Sequence, residues 1–417
     1  MNGGFDRSID ELRKQLRSDF NLVTHQRTDD ESGGSDTTDR SLVLKRVSTR
    51  SDLFPYQRDL VEQTLEVIHQ KSRGLLAMPT GAGKTRTAAF AVLQSMATSS
   101  RRSIWLAPSR ELVSQAFATF KKIWAESGNV PDIEMVLGND RIPGGDDRLI
   151  WLTTPQGMYS KMRGGLKLGN WDSVVFDEAH QLGARTFRES CDFVLGQVGT
   201  TALLGLSATP GRFSELETEE LVGYFDKNLL TSDLLKPNPV EVLQRRGVLA
   251  RLEFHMITAS EVAPDEAVRI REVAPLCLKL ANEGKRILIF SASVAGAVVL
   301  AEVLRSLGVR ARSVHGGIAD STRDSLIHDF ETGKVQVLVN QKLLATGYDC
   351  PAVSDVILMT RIGSPILFEQ IVGRAARGPK TGGGRTSSIW QFEEHLTIHG
   401  LPQSYYRYRD FEWSDLR

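Results

Sequence analysis

Two open α/β units in tandem, each a mostly parallel sheet with helices on both faces, are expected from this amino-acid sequence. Three observations carry that expectation. The chain has 417 residues, more than one ordinary core serves, which suggests two domains. Short apolar runs of strand length alternate with stretches of helical period. The runs are apolar throughout rather than every second residue, the pattern of strands buried on both faces of a parallel sheet.

Composition narrows the class. Hydrophobic residues make up 41% and charged residues 24%, the balance of a soluble globular chain. No apolar run approaches the ~18 residues of a membrane span. The opening "MNGGFDRSIDELRKQLRSDF" lacks the apolar core of a secretory signal. Cys191, Cys277 and Cys350 are far apart, without paired spacing for zinc or an iron–sulfur cluster, so a reduced, cytoplasmic setting is expected. A formal net charge of zero argues against a protein that coats nucleic acid by bulk attraction, and leaves a local basic groove open.

The elements follow in order. Residues 1–50 are polar and turn-rich around "RTDDESGGSDTTDR", and read as a flexible N-terminal arm with a short amphipathic helix near Ile9 to Phe20. A first α/β unit is expected over 51–225, with strands at "GLLAM", "SIWLA", "LIWLT", "SVVFD" and "ALLGL". Residues 226–264, including "EVLQRRGVLARLEFH", read as a linker of one or two helices. A second unit and a C-terminal tail fill 265–417, with strands at "ILIFS", "ARSVH", "VQVLVN", "DVILMT" and "SSIWQ" around helical stretches such as "AGAVVLAEVLRSLG". Functional loops of such sheets lie at the carboxyl ends of the strands.

In "GLLAMPTGAGKT" a strand runs into a glycine-rich turn and then a helix, the context in which such a turn holds phosphate. Gly81 and Gly83, with Thr80 and Ala82 between and beside them, let backbone N–H groups face the phosphates. Lys84 can reach the β- and γ-phosphates and the Thr85 hydroxyl can ligate magnesium. The first glycine of the usual pattern is replaced by Met78. In "SVVFDEAH" a second strand ends in Asp177 and Glu178, followed by His180. Adjacent carboxylates at a strand end usually mean a solvated edge. One domain's length after a phosphate turn, they read as a hydrolysis site, with Asp177 the magnesium partner and Glu178 the general base. Near the far end, Arg374 and Arg377 of "QIVGRAARGP" lie three apart and on a helix would point from one face. Taken alone, such a pair is most often a solvated surface.

The ordered set of motifs resembles the superfamily-2 helicases and translocases, over about Leu53 to Pro379. "LFPYQRDLVE" is similar to the adenine-recognising Q-type motif, "MPTGAGKT" to motif I, "APSREL" to Ia, "TTPQ" to a strand-contacting motif, "DEAH" to II and "SATP" to III. "LIFSAS" is similar to motif IV, "LLATGYDCP" to V and "QIVGRAARGP" to VI. The resemblance implies two RecA-like domains that bind ATP and Mg2+ in the cleft between them. It implies that Gln57 reads the adenine edge, and that Phe54, where many relatives carry Arg, stacks on the base. Arg374 and Arg377 become arginine fingers that cross the cleft to the γ-phosphate, with Gln370 positioning water or phosphate. Gly347 and Asp349 contact nucleotide from the second unit, and His180, Ser207 and Thr209 relay nucleotide state. Nucleic-acid contacts are implied for Ser109, Arg110, Thr154, Gln156, Ser291, His315 and Thr346, which lie at strand ends as backbone-phosphate contacts require.

The combination of "PYQ", "DEAH…SATP" and "GRAARGPKTGGG…SSIW" resembles the helicase part of restriction-subunit-like and repair-type DNA translocases. DNA is therefore favoured over RNA. No built-in nuclease is expected, and little sequence lies outside the two units, so targeting or nuclease activity would come from protein partners, as in a phage-defence or repair system. The aromatic, basic tail "HLTIHGLPQSYYRYRDFEW" reads as a packed terminal helix or a docking surface. An ATP-gated clamp that signals without unwinding uses the same motifs, and no wedge insertion is evident between motifs V and VI. A P-loop kinase leaves "SATP" and the second unit unexplained.

Overall fold

In the computed structural model, residues 42–43, 53–99, 102–126, 132–138, 148–183, 185–210, 215–258, 265–345 and 350–392 are described. The helix near Ile9 to Phe20 and the tail beyond Phe392 lie outside these residues.

Two sheets organise the chain. The first uses β1 (Leu42–Val43), β2 (Arg73–Ala77), β3 (Arg102–Leu106), β4 (Glu134–Leu137), β5 (Leu149–Thr153), β6 (Ser173–Phe176), β7 (Ala202–Ser207) and β8 (Leu229–Leu230). Their order is β1-β4-β5-β3-β6-β7-β2-β8. Every pairing is parallel except β1 with β4, where Leu42 lies opposite Met135. The second sheet uses β9 (Arg251–Ile257), β10 (Ile287–Phe290), β11 (Ala311–Val314), β12 (Val337–Asn340), β13 (Asp355–Leu358) and β14 (Thr386–Phe392). Its order is β11-β12-β10-β13-β14-β9, parallel throughout.

Helices cover both faces, which is why the central strands are apolar throughout. In the first unit these are α1 (Pro55–Gln70), α2 (Lys84–Thr98), α3 (Arg110–Glu126), α4 (Pro155–Arg163), α5 (Arg185–Leu195) and α6 (Glu215–Tyr224). One face packs Trp105 edge-on against Phe120, ring centroids 5.2 Å apart, and the other packs Trp151, Trp171 and Phe225. Then come α7 (Pro239–Arg245), α8 (Glu266–Asn282), α9 (Val294–Ser306), α10 (Asp320–Thr332) and α11 (Pro365–Val372). Phe290 and Phe330 fill one face of the second sheet, Ile289 and Leu300 the other. Local sequence sets several helix starts: Thr154, Asn238 and Ser364 each cap a helix whose first residue is proline, accepting a backbone N–H three residues on.

Two expectations are corrected. The stretch 226–264, expected to be linker helices, holds β8 of the first sheet, the helix α7, and then β9 of the second. "RLEFHMI" is strand because it lies at a sheet edge beside β14, where alternating Arg251, Glu253 and His255 can face outward. The stretch read as a flexible connector after the expected Ile9 to Phe20 helix contributes the antiparallel edge strand β1, Leu42–Val43.

Candidate functional site

The strand order decides which loops meet. β7 lies between β6 and β2, so the turn after β7 stands between the turns that follow its neighbours. After β2 the chain passes through Gly81 and Gly83, at φ +89° and +93°, which favour glycine because a Cβ crowds the backbone there. Gly83 caps α2, so Lys84 and Thr85 begin the helix and its N–H groups open onto the turn. Met78 is fully buried among the core residues of the first unit, and its N–H donates to the Ser207 carbonyl at 3.2 Å. The substitution thus faces the core rather than the phosphate turn.

α1 closes the other side of this turn. Tyr56 Oη donates to the Ala82 carbonyl at 3.0 Å, and Gln57 Nε2 to the same carbonyl at 3.3 Å. Gln57 Oε1 accepts from the Phe54 N–H at 3.0 Å, completing a cap on its own helix. The Gln57 amide is committed at both ends to protein partners, and Phe54 stacks on Tyr56 at 5.7 Å with rings 9° from parallel.

After β6, Asp177 and Glu178 are both buried. Asp177 Oδ1 accepts the Glu178 N–H at 3.0 Å, and Glu178 sits at φ +53°, a left-handed conformation that a non-glycine residue holds only when its surroundings impose it. Burial and the neighbouring Glu178 carboxylate push the Asp177 carboxyl up to about 7, against the pull of Lys84. Burial alone would also raise Glu178. Lys84, His180 and Arg374, with a hydrogen bond from Gln370, instead hold it below the ordinary carboxylate range. His180 Nδ1 stands 3.3 Å from Glu178 Oε2.

The remaining charges come from the second unit. Gln370 on α11 places Nε2 3.5 Å from His180 Nε2. Arg374 Nε donates to the Gln370 carbonyl at 3.0 Å. A Cβ on Gly373 would lie 2.8 Å from Cβ of Thr80, and one on Gly81 would run into the Arg377 guanidinium. The segment after β13 is therefore seated on the phosphate turn, and Arg323 of α10 also reaches Glu111 of α3 at 3.7 Å. One geometric expectation is corrected: the two arginines do not share a helix. α11 ends at Val372, Arg374 lies in a short 3-10 turn, and Arg377 forms an antiparallel bridge with Leu249. Leaving the helix lets one arginine face Glu178 and the other face Gly81.

A divalent cation fits this constellation. Asp177 and the Thr85 hydroxyl are the donors the chain would supply, and a buried acid raised to about 7 is one whose proton a cation can replace. Among the described residues no cluster of three or more His, Cys, Asp or Glu could hold a metal. Magnesium, which keeps water and phosphate oxygens in its shell, needs no such cluster.

The other expected residues divide. Ser207 Oγ donates to the Thr209 carbonyl at 2.6 Å and accepts the Thr209 N–H at 3.1 Å, closing the turn between the loops that follow β2 and β6. Ser109 accepts the Leu112 N–H, Thr154 caps α4 and His315 Nδ1 accepts the Gly317 N–H, so each shapes its own turn. Arg110 and Gln156 are exposed. Ser291 is a correction: it is fully buried and donates to Glu266 Oε1 at 2.9 Å, which leaves its hydroxyl no path to a nucleic-acid strand. Thr346, Gly347 and Asp349 lie outside the described residues. Sequence reasoning missed Glu266, whose carboxylate also accepts Ser293 Oγ at 2.6 Å and the Ser293 N–H at 3.1 Å, and missed Leu249. Neither stands in a motif.

Comparison with known proteins places the chain among helicase-like families and folds. Residues 50–212 match the family described as "Type III restriction enzyme, res subunit", and residues 269–379 match "Helicase conserved C-terminal domain". The chain is similar to the ATP-dependent RNA helicase dbp10 of Emericella nidulans, 24% identical over 376 residues that cover 82% of this chain and 40% of that one. It is similar to the ATP-dependent DNA helicase Hel308 of Pyrococcus horikoshii, 25% identical over 397 residues, covering 85% of this chain and 53% of that one. The chain thus spans about half the length of these curated relatives. In fold it is similar to S. cerevisiae Dbp5 bound to RNA and ADP BeF3, with a TM-score of 0.63, 24% identity, and coverage of 86% of this chain and 89% of that one.

Proposed function

From a chain that belongs to the superfamily-2 helicases and resembles their type III restriction-subunit branch, we propose an ATP-hydrolysing nucleic-acid motor whose track is DNA. The observation that carries the reading is the meeting of Gln370, Arg374 and Arg377 from one unit with His180, Glu178 and Gly81 of the other. A site divided this way closes on nucleotide and opens after hydrolysis, so that chemistry becomes relative motion of two sheets.

Each residue has a task. The N–H groups of the turn 80–85 hold the phosphates, and Lys84 neutralises them. Asp177 and Thr85 would hold magnesium, which would offset phosphate charge. Glu178, kept ionised by its cationic neighbours, accepts the proton of the attacking water, and Gln370 with His180 fixes its direction. Arg374 and Arg377 face the charge that builds on the transferred phosphoryl group. Ser207 and Thr209 carry the state of the turn toward the nucleic-acid path. The res-subunit match supports DNA, although relatives with RNA helicase in their names are equally similar. Partners that supply targeting or nuclease activity, a place in a defence or repair system and a cytoplasmic setting belong to the same proposal. No described helix is long and apolar enough to cross a membrane.

The test is hydrolysis of ATP by the purified chain, alone and with single-stranded, duplex or forked DNA or RNA, against Lys84→Ala. Selective stimulation by a DNA form supports the reading. Stimulation by RNA alone overturns the choice of track.

A second reading keeps the site and drops unwinding. Between Cys350 and Gln370 the described chain is one strand, a turn and the start of α11, with no hairpin to wedge a duplex open. An ATP-gated clamp that reports to a partner needs none. A strand-displacement assay on forked DNA decides, since a clamp hydrolyses ATP on the fork without releasing a strand.

A further inference from the structure

The four residues 247–250, between α7 and β9, belong to neither sheet. Their side chains pack into the first unit, while their backbone bonds to both units. Val248 and Leu249 are buried in the core of the first unit, beside Val242 and Leu243 of α7. Their N–H groups return to the Leu243 carbonyl at 2.9 and 3.2 Å, and Gln244 Nε2 donates to the Ala250 carbonyl at 3.1 Å. The outward edge of the same segment is stitched to the chain around Arg377. The Ala250 N–H donates to the Ala376 carbonyl at 3.0 Å, Gly378 to Val248 at 3.0 Å and Lys380 to Gly247 at 2.9 Å. The Thr381 hydroxyl adds a bond to the Val248 carbonyl at 2.9 Å. Leu249 itself bridges Arg377, and its Cδ2 would lie 2.9 Å from a Cβ on Gly81, the glycine that the Arg377 guanidinium also meets.

We infer that residues 247–250 are a strap, anchored in the first unit, that positions Arg377 against the phosphate turn, with Leu249 as its central positioning residue. The inference rests on the reading of Arg377 as a group that acts on the nucleotide. Its physical content is preorganisation. An arginine on a free loop would spend binding energy finding its place after each closure, whereas one clamped by backbone hydrogen bonds to the other unit's core is placed beforehand.

Gly378 gives a selective test. At φ −89° its backbone tolerates alanine, but a Cβ would lie 2.5 Å from the Gly247 carbonyl oxygen and 2.8 Å from the Val248 carbonyl carbon. Gly378→Ala therefore pries the arginine segment off the strap and leaves the first core intact. The experiment measures kcat for ATP and the Kd of a fluorescent ATP analogue for the parent, Gly378→Ala, Arg377→Ala and the double variant. Expected are a fall in kcat of roughly 10- to 100-fold for Gly378→Ala with Kd within about twofold, and no further loss when it is added to Arg377→Ala. Where Gly378→Ala does not fold, Thr381→Val, which removes one hydroxyl donor, takes its place with an expected loss of about threefold. If Arg377→Ala leaves kcat unchanged, the reading of Arg377 falls and the strap with it. If Arg377→Ala is severe but Gly378→Ala is silent, multiplies with it or weakens nucleotide binding in step, the strap alone is overturned.

Discussion

Gln370 Nε2 lies 3.5 Å from His180 Nε2, and the two side chains belong to different sheets. The ring's other nitrogen faces Glu178 at 3.3 Å, so an amide of the second unit is joined through one imidazole to the buried carboxylate of the first. Gln370→Ala and His180→Ala should each slow ATP hydrolysis by about 10- to 100-fold, and the double variant should be no slower than the worse single one. Independent, multiplying losses would show that the two do not act as a unit. Steady-state hydrolysis at saturating ATP measures it.

Arg374 and Lys84 should separate by what they cost. Both draw on Glu178, but Arg374 arrives only with the second unit while Lys84 begins α2 at the phosphate turn. Arg374→Ala should leave nucleotide affinity within a few-fold and lower kcat by about 10³-fold, as loss of an arginine finger does elsewhere. Lys84→Ala should weaken nucleotide binding itself. Equilibrium binding beside single-turnover hydrolysis distinguishes the two.

Asp177 predicts a pH dependence of the nucleotide-free protein. Burial, then Glu178, raises its carboxyl to about 7 in the folded state. A raised group favours folding where folded and unfolded chains are both protonated, and that contribution is lost as pH climbs from the ordinary carboxylate value through the folded one. Asp177→Asn should therefore melt above the parent at pH 8, with the gap closing toward pH 4. Melting curves without nucleotide or divalent cation give the result, and a gap constant with pH would contradict the assignment.

Glu266 predicts the opposite sign. Burial would raise its carboxyl, but hydrogen bonds from Ser293 and Ser291 side chains and from the Ser293 and Ala292 N–H groups hold it below the ordinary range. Its stabilisation is present above the unfolded value and lost as pH falls through the folded one. Glu266→Gln should cost about 1–2 kcal/mol at pH 7 and less in acid. Denaturant titration at two pH values checks it.

How much of this was legible follows from the physics of each element. "SVVFD" and "ILIFS" were readable as strands because β6 and β10 are interior and buried on both faces. β9 was not, because as an edge strand it alternates polar with apolar residues in a stretch also compatible with a helix. β8 is two residues long, too short to carry a period. Asp177, Glu178 and Lys84 could be placed together from the sequence because each follows directly on a readable interior strand and its turn. Ser291 misled for a related reason: its position matches a motif, while its environment is set by Glu266, 25 residues away at the start of α8. Leu249 was invisible, since one leucine among many becomes informative only when its neighbours in space are known.

The neighbour relation of β9 and β14 has a consequence for how the protein is made. β9 begins at Arg251, yet its partner begins at Thr386, and β14 stands between β9 and the rest of its sheet. On the ribosome the first sheet can close once Leu230 has emerged, whereas β9 must wait, its Leu252 and Phe254 uncovered, until β14 at Thr386–Phe392 has been synthesised. A truncation before β14 would leave a strand with no sheet to join. The second unit is completed late, from its own end backwards.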